Sequence, residues 1–128
     1  MSYYFAKTLS TSFETAERRA REELKKEGFG VLTEIDVKET LKKKLNVEFK
    51  RYKILGACNP PFAHQALQAE DKIGLMLPCN VIVQELAEGK VEVAAIDPVA
   101  SMMAIKNKAL AGVAQQVQAK LKKVIAKL

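Results

Sequence analysis

Two β-rich runs, residues 75–86 and 91–96, stand on either side of Glu88-Gly89. A glycine turn between two such runs predicts an antiparallel hairpin. The hairpin decides between two fold classes. The rest of the chain reads as strand alternating with helix, which alone would favour a parallel doubly wound sheet. No glycine-rich strand-to-helix loop accompanies that alternation. The expected class is therefore α+β. It should be a single domain over residues 1–128, with a mostly antiparallel twisted sheet of about five strands. Helices should pack on one face, among them a long amphipathic C-terminal helix.

Three further strands are expected, at residues 3–9, around Val31, Thr33 and Ile35, and at residues 51–58. In the last of these Tyr52, Ile54, Gly56 and Cys58 share one face, and Leu55 and Ala57 the other. Apolar character on both faces places it inside the sheet. Thr11 and Glu14 have capping-box spacing. Behind them Phe13, Ala16, Ala20 and Leu24 form one helical face that Gly28 ends. Asp36 with Glu39 opens a helix at residues 37–45. Asn59 before Pro60 opens a short one at about 61–68. Asp97-Pro98 opens another through Ile105. Asn107 caps the last helix, whose buried stripe is Leu110, Val113, Ala114, Val117, Leu121, Val124 and Leu128.

At 128 residues the chain can bury its own core. The net charge of +6 favours acidic partners only weakly, because lysine is common on helix surfaces. Lys42, Lys43 and Lys44 read as a solvated helix end whose cations suit the dipole. Without an aromatic platform beside them, no nucleic acid partner is expected. No apolar run approaches the roughly 20 residues of a membrane span. The start, MSYYFAKTL, lacks the pattern of a signal peptide. The expectation is a cytoplasmic protein beginning near Met1, with no membrane partner and with reduced thiols.

Chemistry concentrates in residues 52–85, which hold both cysteines, the only histidine and three of the four prolines. Cys58-Asn59 precedes Pro60-Pro61, and Cys79-Asn80 follows Pro78. Cys58 stands just before a helix N-terminus, which favours a thiolate and would also suit a small anionic ligand. Cys79 alternates with Leu75, Leu77, Val81 and Val83 and reads as a buried small hydrophobe. The candidate ligand or thiol site is Cys58, Asn59, His64, Cys79, Asn80 and Asp97. Three functions stay open. One is a non-enzymatic module binding a small ligand or partner at the Cys58 junction. The second is a thiol or redox module using Cys58 and Cys79. The third is Zn or Cu(I) held by Cys58, Cys79 and His64. No hydrolase triad, phosphate loop or carboxylate dyad appears, so whether the chain is an enzyme is open, and no cofactor is implied.

The motifs L-G-A-C-N-P-P-x-A at residues 55–63, L-P-C-N-V at 77–81 and D-P at Asp97-Pro98 resemble the domain-of-unknown-function 302 family of bacteria and archaea. That resemblance implies an α+β domain with a twisted antiparallel sheet, and a homo-oligomer such as a dimer. It carries over no functional residues. A sheet with helices on one face also leaves another face to bury. In this reading that face carries Tyr4, Met76 and Ile82.

Overall fold

The computed structural model describes residues 2–128. Five strands form one sheet: β1 (Tyr4–Leu9), β2 (Gly30–Asp36), β3 (Tyr52–Cys58), β4 (Cys79–Ala87) and β5 (Lys90–Ile96). Their order is β1-β5-β4-β3-β2, and every neighbouring pair is antiparallel. The expected hairpin is present. Ala87 pairs with Lys90, and Gly89 takes the left-handed φ of 74° that a side chain would resist. β3 is interior, as expected, while β4 is the middle strand.

The helices are α1 (Phe13–Lys26), α2 (Val37–Leu45), α3 (Pro60–Ala69), α4 (Pro98–Ser101) and α5 (Lys108–Ala126). Leu55, Val81, Val83, Val91 and Val93 are buried on the sheet face beneath α1 and α5. From α1, Phe13, Ala16, Ala20 and Leu24 meet them. From α5 come Val117, Leu121, Val124 and Ile125. The predicted α5 stripe is right except that Val113 is half-buried and Ile125 was not in it.

Three local expectations are corrected. The cap of α1 is Ser12, whose hydroxyl accepts from the Thr15 N–H, and not Thr11. Starting one residue later puts Phe13 at the first helical position, where its ring reaches the core. The fourth strand starts at Cys79, not at residue 75. Residues Asp71–Met76 wind into a 3-10 turn that buries Ile73 and leaves Leu75 85% exposed. Leu75, Met76 and Leu77 therefore share no strand face with Cys79 or Ile82. The fourth helix ends at Ser101, short of Ile105.

Candidate functional site

Where β3 ends and β4 begins, sheet and helices enclose a cavity of about 300 Å³. Ala57, Cys58 and Cys79 form its sheet wall. Phe62, Ala63 and Ala66 of α3 face Val113, Ala114 and Val117 of α5 across it, and Phe29, Leu77 and Pro78 close the sides. No charged side chain lines it. The sequence builds it from small residues. Ala57, Ala63, Ala66 and Ala114 stand where larger side chains would fill the space, and two prolines fix the start of α3.

Cys58, Asn59 and Cys79 come together here. Asn59 takes the cap position of α3, yet its side chain makes no capping hydrogen bond. It is buried, and its Nδ2 donates to the Glu27 carbonyl at 3.1 Å. It thereby ties the end of α1 to the start of α3. Gly28, with φ of 87°, makes that approach possible: a Cβ there would stand 3.2 Å from Asn59 Nδ2. The start of α3 is poor in donors, since Pro60 and Pro61 have no N–H and the Ala63 N–H is used by the Asn59 carbonyl. This and the missing cation remove the ground for expecting an anion there.

The two thiols are free. Ala57 is the direct cross-strand partner of Cys79, so Cys58 is the next residue along the ladder. Burial, and then neighbouring Cys58, pushes the Cys79 thiol up to about 11. At neutral pH Cys79 is a protonated, apolar wall residue rather than a nucleophile or a ligand.

The other three candidates lie elsewhere. His64 is exposed on α3 and does not face Cys58. Among the described residues no group of three or more His, Cys, Asp or Glu side chains is placed to hold a metal. Cys58, Cys79 and His64 thus do not form a ligand set. Asp97 caps α4 through the Val99 N–H and receives the Gln118 amide at 3.0 Å, a structural role. Asn80 points to the opposite sheet face, where it borders a second concavity of about 400 Å³ with Tyr52, Gln84 and Glu92. Sequence reasoning missed this groove. Its available signal was the hairpin register, which sets Gln84 opposite Glu92.

The all-antiparallel sheet with its main helices on one face and a small-residue cavity at one end defines a two-layer α+β domain. Within that class the chain belongs to the DUF302 family, domain of unknown function 302, whose sequence model matches residues 5–128. It is similar to the crystal structure of an uncharacterised conserved DUF302 protein from Bacillus stearothermophilus. The TM-score is 0.90 at 27% identity, covering 99% of this chain and 98% of that one. No curated protein matches. No helix is long and apolar enough to cross a membrane among the described residues.

Proposed function

We propose that the chain is a binding module that takes a small, largely apolar molecule into the cavity at the Cys58 strand-helix junction. The observation that carries this reading is the cavity itself. At about 300 Å³ it is twice the roughly 150 Å³ of an apolar cavity that takes up benzene. Its walls offer two thiols and one amide already engaged with Glu27, so the ligand is held by apolar contact. Toluene is a suitable probe. Its titration should give saturable shifts of the Ala66, Val113 and Val117 methyl resonances. Ala63→Leu should suppress them while the melting temperature holds. Shifts that never saturate, or that persist unchanged in the folded Ala63→Leu protein, would overturn the reading.

A further inference from the structure

The uncovered sheet face collects chemistry that the cavity does not use. The chain has three tyrosines, and all three line the groove on this face. The Tyr3 and Tyr4 rings meet edge to face, 74° apart with centroids at 5.1 Å, and make a corner. Tyr52 borders the groove from β3. Ile82 and Ala94 are lateral partners in its floor, and the small Ala94 leaves the depression.

One charged side chain lines this groove: Glu92, half-buried on β5. Gln84 donates to its Oε1 at 2.8 Å. Among the described residues no lysine, arginine or histidine pairs with Glu92, and no donor reaches its Oε2. The cations of β1 and β3 point the other way. Lys7 donates to the carbonyls of Ala126 and Leu128, and Lys53 pairs with Glu17. Burial, then Tyr3 and Glu92, holds the Tyr52 hydroxyl above its usual range.

Glu92 is thus a half-buried carboxylate with no cation beside it among the described residues. The faces of the tyrosine rings carry negative potential as well. A cation satisfies both at once. A second copy of the chain laid on this face would do the reverse, bringing two Glu92 carboxylates into one desolvated interface without a partner. We propose that the groove bounded by Tyr3, Tyr4, Tyr52 and Glu92 binds a small organic cation, an ammonium or quaternary ammonium group.

The chain contains no tryptophan, so tyrosine fluorescence reports on this groove alone. Choline should change that fluorescence saturably below about 100 mM. Its neutral carbon isostere, 3,3-dimethylbutan-1-ol, should bind at least about fivefold more weakly. Glu92→Gln, which keeps the acceptor for Gln84, should weaken choline by about fivefold or more, and Tyr52→Leu likewise. Ala63→Leu, in the cavity across the sheet, should bind choline like the parent. The melting temperatures of the variants establish that they are folded. Equal binding of choline and the isostere, or a folded Glu92→Gln protein that binds choline unchanged, would overturn the proposal. So would a dimer in sedimentation whose tyrosines do not respond to choline.

Discussion

On the helix side of β4, Val81 and Val83 are fully buried and Cys79 nearly so, against α1 and α5. On the other side of the same strand, Ile82 and Gln84 are only half-buried, and Gln84 reaches across to Glu92. One layer of backbone separates an apolar cavity from a groove with a carboxylate in it. Period-two alternation alone moves a side chain from one environment to the other. The cavity is apolar because no charged side chain lines it, and burial of Cys79 in its wall holds that thiol neutral. The groove keeps a carboxylate because water reaches it. The two surfaces are therefore suited to different molecules, one uncharged and one cationic.

The comparison breaks most visibly in stability. Leu121→Ala, under α5 on the covered face, should cost about 2–4 kcal/mol in chemical denaturation. Ile82→Ala, on the uncovered face, should cost about 1 kcal/mol or less. Equal losses, growing with protein concentration, would mean that a second copy covers Ile82.

The next difference depends on pH. Cys79 ionises from its ordinary 9.0 in the unfolded chain and only at about 11 when folded. Between those values the unfolded chain has released a proton that the folded one keeps. The stability Cys79 contributes is thus complete below pH 9 and is lost as pH rises to 11, about 2–3 kcal/mol in all. Melting the parent and Cys79→Ala side by side from pH 8 to 11 isolates it from the tyrosines and lysines. Parallel curves would show that Cys79 is not dry.

Gly56 sits behind the cavity wall, where a Cβ would collide with Thr33 Oγ1 and stand 2.8 Å from Pro78 Cγ. Gly56→Ala should cost about 1–3 kcal/mol by urea unfolding. A neutral result would mean that the β2 edge moves freely. The smallest effect is expected outside both regions. Lys123 pairs with Glu27 at 3.5 Å on an exposed helix surface. Lys123→Ala should change stability by less than about 0.5 kcal/mol in the same assay.

Much of the fold was legible because it is written locally. The Asp36, Asp97 and Asn107 caps, the α5 stripe and the Glu88-Gly89 hairpin each depend on a few neighbouring residues. Asn59 shows where local reading stops. Its position before two prolines marks a helix start correctly, but its amide is taken by Glu27, 32 residues away. Leu75 to Leu77 extended an apolar run that tertiary packing instead folds into a 3-10 turn around Ile73. For the site, Cys58, Asn59 and Cys79 met because β3 and β4 are neighbours in sequence and in the sheet. Of the groove, the hairpin register offered only Gln84 opposite Glu92; Tyr3 joins Tyr52 and Glu92 through the pairing of the first strand with the last, which no short-range pattern reports.

That last pairing has a consequence for synthesis. β2, β3 and β4 can assemble in the order in which a ribosome releases them, each against its predecessor. β1 is made first and has no ladder partner until β5 has emerged. Through most of translation its aromatic run at Tyr3, Tyr4 and Phe5 is an unpaired strand, open to the wrong neighbours. Closure of the sheet is therefore a late event, and slow folding or early aggregation of a truncated chain should begin at this first-made segment.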